Sequence, residues 1–495
     1  MKRLVYIFLI ALCIFACLGL WSCQGPDGVD ALTFVEVEGG YMVKGCAKSA
    51  KNVEIPSEYK GLPVVAIQDK GFMNCRKLES VKIPDTVTKI GESAFGNCHK
   101  LKSIVLPSNL TKISPFMFYC CCELEKITIP QGVNEIGTCA FAYCRMLASI
   151  SLPRGITEIS DDVFLHCNAL SSVDLPEGIT KIGMTAFFQC NSLSSIDLPE
   201  GITEIDNCAF SYCEALVELK LPSTLVSIGE DSFSSLSNLK SVTLPRNFTA
   251  FEGAIFSGCH SLEKIEVVEE NSTFKSIDGI LYSKNGEEIV RYPLGKVGES
   301  FKIPNGVSRI GDFAFYGCTG LTSIEIPNGV STIGKGAFCK CESIKTLVLP
   351  NSVTEIGIRA FRHCTSLKSM VIPEGVKEIE AVTFEYCDSL ESVLLPEGLE
   401  KIGERAFGDC WSLKGIELPS TVFQITEQAF SGCEALEKIV IPKSVTKMGP
   451  RVFLDCESLR IYCRATEKPK DWEDDWNRAT LRGSAHFEVV WGYTE

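Results

Sequence analysis

Apolar and polar positions follow one pattern that recurs every 23 residues through most of the chain. The shared unit is Leu-x-x-Ile-x-Ile-Pro-x-x-Val-Thr-x-Ile-Gly-x-x-Ala-Phe-x-x-Cys, and sixteen versions of it can be aligned. The spacing is marked by Pro84, Pro107, Pro130, Pro153, Pro176, Pro199, Pro222 and Pro245, and then by Pro304, Pro327, Pro350, Pro373, Pro396, Pro419 and Pro442. A fixed period of this length predicts a solenoid, in which each repeat is one coil stacked on its neighbours.

Each repeat predicts two short strands and a turn. The segment Leu-x-x-Ile-x-Ile alternates with the period of a β-strand, and proline ends it because proline lacks the backbone donor that a ladder needs. Val-Thr-x-Ile-Gly predicts a second strand, whose glycine we expect in a backbone conformation that strains other residues. Ala-Phe-x-x-Cys is too short for an α-helix and predicts a turn or a single 3₁₀ coil. The predicted fold class is therefore mostly β, with parallel strands.

The array is interrupted once. Between Pro245 and Pro304 lie 59 residues, and the excess holds two turn signals, Asp278-Gly279 and Asn285-Gly286, between alternating segments. These signals predict one β-hairpin insert. The predicted organisation is a signal peptide at 1–22, a tether at 23–30, an N-terminal cap at 31–62, a first repeat block at 63–267, the insert at 268–300, a second repeat block at 301–459 and a C-terminal cap at 460–495.

The first 22 residues predict an export signal. Lys2 and Arg3 precede an apolar stretch, and the small residue Ser22 precedes Cys23. This order resembles the bacterial lipobox, in which the cysteine is diacylated and becomes the new N-terminus, although Trp21 stands where a smaller residue is usual. We therefore expect a lipid anchor at Cys23 and an extracytoplasmic protein held on a membrane. A plain signal peptide or an N-terminal membrane anchor is the alternative.

The net charge of the chain excludes some classes of macromolecular partner. The 495 residues carry a formal net charge of −14, and no basic run offsets it. An acidic surface repels nucleic-acid backbones and anionic membrane surfaces, so we expect no nucleic-acid partner.

Of the 25 cysteines, fifteen occupy the last position of the repeat unit, from Cys75 to Cys456, and only Leu236 breaks the row. Free cysteine behaves as a small buried hydrophobe, so we expect an inert ladder in the core. Metal binding and redox chemistry are the alternatives, but the chain contains no C-x-x-C pair. The remaining cysteines of the repeat region share no register and cannot be paired from the sequence.

Catalytic and metal sites are not indicated. The five histidines lie at changing offsets in the repeat, and no nucleophile elbow, zinc-protease motif or phosphate-binding glycine loop is present. We therefore expect neither an enzyme nor a bound metal or cofactor.

The first strand of each repeat offers an extended binding face, because the residues on either side of its central isoleucine point outward. In the row after that isoleucine, Val348, Val371 and Leu394 are neighbours, and Glu325 and Glu417 flank them. A contiguous exposed apolar patch is a candidate contact site. The alternative is that these residues are present only because β-branched side chains favour strands.

The repeat unit, the insert from Ser276 to Lys284 and the ending Ile461-Tyr-Cys with Trp472 and Trp476 resemble the BspA-type leucine-rich repeat proteins of bacterial surfaces. The resemblance implies a leucine-rich repeat solenoid, exposure on the cell surface and binding of proteins of the extracellular matrix or of partner cells. It implies no catalytic residue.

We therefore expect a cell-surface protein that binds proteins, in adhesion or host and matrix interaction. One alternative is an envelope scaffold without an external ligand. Another is a glycan-binding accessory lipoprotein that uses Trp472, Trp476, Tyr282 or Tyr292, although the tryptophans could equally be a plug over the last coil.

Overall fold

The computed structural model describes residues 27–251, 253–480 and 485–494. The chain forms two compact units, of which the first ends at Ile202 and the second begins at Thr203. The predicted signal peptide and the proposed lipidation site Cys23 lie outside the described residues. Among the residues described, no helix has the length and apolar character needed to cross a membrane.

The described residues of the first unit form one short 3₁₀ helix, Gly28–Ala31, and fourteen strands. The strands are β1 Leu32–Val37, β2 Gly40–Cys46, β3 Asn52–Glu54, β4 Glu58–Tyr59, β5 Leu62–Ile67, β6 Ser80–Lys82, β7 Lys89–Ile90, β8 Ser103–Val105, β9 Lys112–Ile113, β10 Glu135–Ile136, β11 Ser149–Ser151, β12 Glu158–Ile159, β13 Ser172–Asp174 and β14 Lys181–Ile182.

The second unit contains β15 Glu204–Ile205, β16 Glu218–Lys220, β17 Ser227–Ile228, β18 Ser241–Leu244, β19 Ala250–Phe251, β20 Lys264–Val267, β21 Phe274–Ile277, β22 Ile280–Ser283, β23 Glu288–Arg291, β24 Ser300–Lys302, β25 Arg309–Ile310, β26 Ser323–Glu325, β27 Thr332–Ile333, β28 Glu355–Ile356, β29 Ser369–Val371, β30 Glu378–Ile379, β31 Ser392–Leu394, β32 Lys401–Ile402, β33 Gly415–Ile416, β34 Gln424–Ile425, β35 Lys438–Ile441, β36 Lys447–Met448, β37 Arg460–Cys463, β38 Asp471–Trp472 and β39 Val489–Trp491.

In each unit the repeats stack as a parallel β-solenoid, which confirms the predicted fold class. We call the Leu-x-x-Ile-x-Ile strands the front strands and the Val-Thr-x-Ile-Gly strands the back strands. Front strands pair in register one repeat apart, as β6 does with β8 and β29 with β31. Back strands pair in the same way, as β12 does with β14 and β30 with β32. In a front strand the central residue is buried between two outward residues, as the alternation predicted.

The turns of successive coils also stack directly on one another. Phenylalanine rings of successive coils lie 4.9–5.8 Å apart in the first unit, from Phe72 to Phe187. The backbone around each phenylalanine bonds to the next coil, as when the Phe384 N–H donates to the Ala406 carbonyl at 2.8 Å. The stacked phenylalanine rings are therefore also held by a backbone ladder.

Two residues of most repeat turns have positive φ, one just before the Ala-Phe pair and one just before the ladder cysteine. In one coil they are Val382, at φ 51°, and Tyr386, at φ 61°. A left-handed conformation costs an ordinary residue about 1–2 kcal/mol. Because the same pair recurs in most coils, the stacked neighbours must hold it in place.

The repeat glycines require a correction. The sequence predicted that Gly91, Gly311 and Gly403 adopt a strained backbone, yet none of them has positive φ. Their role is close approach: a Cβ on Gly403 would lie 2.6 Å from the Ala381 nitrogen and from the Glu380 carbonyl carbon, in the preceding coil. At Gly403 the backbone therefore lies closer to the preceding coil than an added Cβ permits.

The insert is a three-stranded antiparallel meander. The Asp278-Gly279 turn joins β21 to β22, and the Asn285-Gly286 turn lies between β22 and β23. Strand β23 then pairs in parallel with the back strand β25. Tyr292 takes the phenylalanine position of this coil and stacks on Phe315 at 5.4 Å. The insert thus supplies one coil of the second unit.

Both ends of the described chain are closed by non-repeating segments. At the N-terminal end, β1 and β2 pair in antiparallel fashion, and the Lys51 N–H donates to Asp27 at 2.7 Å. Residues 28–30, placed in the tether by sequence, lie in the 3₁₀ helix of this cap. At the C-terminal end, Trp472 and Trp476 are buried, and their ring centroids lie 4.8 Å apart. The Trp476 ring packs against Phe453.

Candidate functional site

The three apolar residues singled out on the front face are strongly exposed. We call Val348, Val371 and Leu394 the apolar row; their side chains are 80 %, 60 % and 61 % exposed. Val371 of β29 lies directly opposite Leu394 of β31. Val348 occupies the same position of the preceding repeat and bridges to Glu325 on its other side. The structure therefore brings the predicted residues together on consecutive coils of one face.

Packing beneath the apolar row fixes the direction of its side chains. The central residues of β29 and β31, Met370 and Val393, are buried, so the residues on either side of them must face outward. The Ile372 N–H donates to the Leu394 carbonyl at 2.9 Å and extends the register past the row. The apolar row is thus presented on a rigid strand ladder rather than on a loop.

The flanking glutamates differ in their surroundings. Glu325 lies opposite Lys302 in the β24–β26 pair and forms a salt bridge with it at 2.5 Å. Glu417 directly follows β33 and is exposed. Extending the β31–β33 register by one residue places it opposite Leu394. The apolar row is therefore bordered by a paired carboxylate at one end and an exposed carboxylate at the other.

A fourth exposed apolar residue occupies the same row position in the first unit. Val105 is 60 % exposed and lies opposite Lys82 of β6. Thr128, one repeat further on, is polar. Val105 is thus a single exposed valine between polar neighbours, and it provides a matched reference for the apolar row.

The cysteine ladder has a polar role that sequence reasoning missed. The Cys387 thiol donates a hydrogen bond to the Phe361 carbonyl of the preceding coil at 3.2 Å, and the same carbonyl accepts the Cys364 N–H at 3.1 Å. The ladder cysteines from Cys341 to Cys456 all bond in this way. Burial raises the pKa of the Cys387 thiol well above its usual value, which keeps it protonated and able to donate.

Two of the five histidines pack against tyrosine rings. His166 stacks on Tyr143 and His363 on Tyr386, each at 4.6 Å between ring centroids. Burial lowers the pKa of both His166 and His363. In the part of the chain that the structure describes, no group of three or more histidine, cysteine or acidic side chains is arranged to hold a metal ion.

The residues proposed for glycan stacking are not available for it. Trp472, Trp476, Tyr282 and Tyr292 are all no more than 3 % exposed. The Trp472 indole N–H donates to the Val445 carbonyl at 3.1 Å, and burial raises the pKa of Tyr282 to about 12. These four rings belong to the core and its closure, so a glycan platform built from them was a wrong alternative.

A shallow depression of about 460 Å³ lies where the insert meets the front face of the second unit. It is bordered by β20 and by the turn Asp278-Gly279. Lys296 reaches across it and forms a salt bridge with Asp278 at 2.9 Å. The charges at its rim are thus partly neutralised by one another.

Comparison with known proteins agrees with this architecture. The model of the BspA type leucine rich repeat region (6 copies) matches residues 65–191, 157–284, 297–393 and 377–464. The chain belongs to the BspA-type leucine-rich repeat family. The matched segments of this BspA-type chain include the whole apolar row, so the row lies within the repeats that define the family.

Two solved structures are similar to the BspA-type chain. A leucine-rich repeat protein from Eubacterium ventriosum is 29 % identical, with a TM-score of 0.57 over 62 % of this chain and 82 % of that one. A leucine-rich repeat protein from Bacteroides ovatus is 27 % identical, with a TM-score of 0.53 over 94 % of this chain and 98 % of that one. A search of curated proteins finds no match.

Proposed function

We propose that this chain is a bacterial surface protein that binds other proteins, in adhesion or in host and matrix interaction, and that the apolar row is the centre of its binding face. The observation that carries the proposal is the alignment of Val348, Val371 and Leu394 on consecutive coils, each at least 60 % exposed. Large exposed apolar side chains that are contiguous mark interaction sites on soluble proteins.

The energetics favour a protein as the partner. Covering one exposed valine or leucine contributes about 1.5–3 kcal/mol, so the three residues of the apolar row together suffice for a binding hot spot. A nucleic acid would meet a chain of net charge −14 with mutual repulsion. A protein surface with an apolar centre and a basic rim would match the apolar row and its flanking Glu417.

The geometry of the row also suits a protein. Front strands of neighbouring coils repeat at about 4.8 Å, so the three side chains form a straight, regularly spaced line. Their backbone is held by the ladder on both sides, and little conformational entropy is lost when the row is covered. Preorganised apolar lines of this kind are the part of a repeat protein that sets specificity.

The proposed location is the outside of the cell, with the chain anchored through lipid on Cys23. It is supported by the order of charged, apolar and small residues before Cys23. The parent chain should incorporate labelled palmitate, and a Cys23→Ser variant should not. Equal labelling of the variant and the parent would contradict the lipid anchor.

The binding face is tested with purified chain and immobilised fibronectin, laminin and collagen. The triple variant Val348→Asp, Val371→Asp, Leu394→Asp should bind the captured matrix protein at least about 30-fold more weakly, because a hot-spot residue contributes 2 kcal/mol or more. Urea unfolding of the variant should match the parent, because the substituted positions are exposed.

The matched control places aspartates in the same row of the first unit, as Val105→Asp with Thr128→Asp. Both positions are exposed, and they lie in the same row on successive repeats. The control variant should bind as tightly as the parent. Equal weakening by the two variants would mean that added charge alone is responsible, and binding unaffected by the triple variant would overturn the apolar row as the contact.

An envelope scaffold without an external ligand is the competing function, and it predicts the opposite result on intact cells. Protease added to living cells should cleave the chain if it is surface-exposed. Complete protection, with cleavage only after the envelope is opened, would overturn the surface role and support the scaffold.

A further inference from the structure

Cys75 is the first cysteine of the ladder and differs from those that follow it. In the first unit, Cys98 and Cys121 donate to phenylalanine carbonyls of the preceding coil at 3.1 and 3.2 Å. The Cys75 sulfur instead lies 3.8 Å from the carbonyl oxygen of Cys46, in the N-terminal cap. The first ladder position is thus occupied by a thiol that faces another cysteine residue.

The Cys46 thiol donates to the Ala47 carbonyl at 3.6 Å, and the Cys75 thiol donates to the backbone carbonyl of Cys46. Cys46 is the last residue of β2, and the segment that follows it, residues 47–51, leads into β3. Cys46 and Cys75 are both buried. Cys75 is covered on its cap side by this short segment, whereas later ladder cysteines have a full coil on each side.

A lysine reaches the pair from solvent. Lys48 is exposed, and its Nζ lies 3.8 Å from the Cys75 sulfur and also donates to the Met73 carbonyl. The neighbouring Cys46 thiol and the charge of Lys48 lower the pKa of Cys75 to about 7, against the opposing effect of burial. The pKa of Cys46 is raised by the neighbouring Cys75 thiol and by burial. These effects favour the thiolate form at Cys75 over Cys46.

The opposite end of the ladder supplies an internal comparison. Cys433 and Cys456 donate their thiols to phenylalanine carbonyls of the preceding coil at 3.2 and 3.1 Å. Both residues are fully buried, and burial raises the pKa of the Cys433 thiol well above its usual value. The Cys433 thiol therefore stays protonated, whereas Cys75 has an ammonium beside it.

We propose that Cys46 and Cys75 form a redox-active pair that closes to an intramolecular disulfide on reaction with a disulfide oxidant, either glutathione disulfide or the disulfide of a thiol oxidoreductase. The Cys75 thiolate attacks one sulfur of the oxidant and expels one thiolate. Cys46 then loses its proton and attacks the Cys75 sulfur, which expels the second thiolate. Two protein thiols lose two electrons, and one oxidant disulfide becomes two thiols.

The bond would join the end of β2 to the first turn of the repeat array. It would close a loop of residues 46–75 and so restrict the unfolded chain, an effect that grows with loop length. Its consequence is a covalently closed N-terminal cap on the open end of the stack. This inference goes beyond protein binding and does not depend on it.

The test uses the purified full-length chain in a glutathione disulfide and glutathione buffer at pH 7, followed by unfolding, alkylation and peptide mapping without reduction. We expect a cross-linked peptide pair that contains Cys46 and Cys75 and has lost two hydrogens. Cys433 and Cys456 should be alkylated in the same sample. Alkylation of Cys46 and Cys75 to the same extent as Cys433 and Cys456 would overturn the proposal.

Three variants separate the roles of the residues. Cys46→Ser should accumulate a mixed disulfide of glutathione on Cys75, because the resolving thiol is gone, whereas Cys75→Ser should leave Cys46 unmodified. The reverse pattern would overturn the assignment of the nucleophile. Lys48→Met should move the midpoint of the rate against pH upward from about 7, since the thiolate loses its ammonium; an unchanged midpoint would remove Lys48 from the mechanism.

Discussion

Replacing Gly403 by alanine should destabilise the second unit, although alanine is normally the better residue in regular structure. A Cβ at this position would lie 2.6 Å from the Ala381 nitrogen and 2.8 Å from the Ile379 carbonyl oxygen. Both atoms are backbone, so no side-chain rotation can relieve the overlap. The two coils must separate, or the back strand must shift.

The magnitude follows from the hydrogen bonds at the same place. Reaching an ordinary contact of about 3.4 Å requires a local separation of about 0.8 Å. The Gly403 N–H bond to the Ile379 carbonyl is 2.7 Å long and would not survive that movement. Overpacking costs about 1–3 kcal/mol, and each lost hydrogen bond about 1 kcal/mol. Removing a glycine from the unfolded chain returns at most about 1 kcal/mol, so the net loss should be about 1–3 kcal/mol.

Gly415, in the front strand β33 of the following repeat, is the matched control. A Cβ there would meet nothing within 4 Å, and its φ is not positive. Gly415→Ala should be neutral or stabilising by up to about 1 kcal/mol. The assay is urea unfolding of the full chain, with hydrogen exchange of the amides around Ile379 and Gly403 as the local readout. If the two variants unfold alike, close approach of the coils is not the reason for the repeat glycine.

Three further predictions concern the turns of the second unit. Phe361→Ala should cost about 3–5 kcal/mol in urea unfolding, since it opens a cavity between two rings stacked at 5.5 and 5.2 Å; a cost below 1 kcal/mol would contradict a close-packed spine. Glu385→Ala should cost about 2–3 kcal/mol, because the buried carboxylate pairs with Arg362 and Arg405, both partly exposed; the double replacement of Glu385 and Arg405 by alanine should cost less than the sum of the single replacements. Burial lowers the pKa of His363 from 6.5, so the unfolded chain binds the proton more readily and stability should fall as pH drops below about 6.5; His363→Phe should flatten this decline, and an unchanged pH profile would count against it.

The repeating features could be predicted because the same pattern in each repeat supports the assignment made from the others. The alternation in each front strand fixed which residue is buried, and the constant interval of 23 residues placed Val348, Val371 and Leu394 on neighbouring coils. The Asp278-Gly279 and Asn285-Gly286 turns of the insert could also be predicted, because each is a local turn signal between alternating segments.

The reason for the glycine could not be obtained from the sequence. Glycine is required either by a positive φ or by a close backbone approach, and the sequence shows the same residue in both cases. The structure shows that the real left-handed positions hold residues such as Val382, Tyr386 and Arg405. Since those residues disfavour that conformation, composition gave no signal, and the constraint comes from coil-to-coil hydrogen bonds.

The N-terminal cap and the cysteine ladder contain two further features that could not be predicted from the sequence. Cys46 lies outside the repeat register, so no spacing rule could pair it with Cys75 before the cap was folded onto the first coil. The hydrogen bond from each ladder thiol to a phenylalanine carbonyl was also hidden, because an apolar neighbourhood suggested a purely hydrophobic role for cysteine. A position filled almost always by cysteine, rather than by alanine or serine, was the available signal.

The most direct test of the binding face is a hydrogen-exchange footprint of the full chain with and without the matrix protein that it captures. Bound partner should slow exchange in the front strands that carry Val348, Val371 and Leu394, and leave the front strand that carries Val105 unchanged. Slowed exchange confined to other segments, with these three strands unaffected, would contradict the assignment of the apolar row as the binding site.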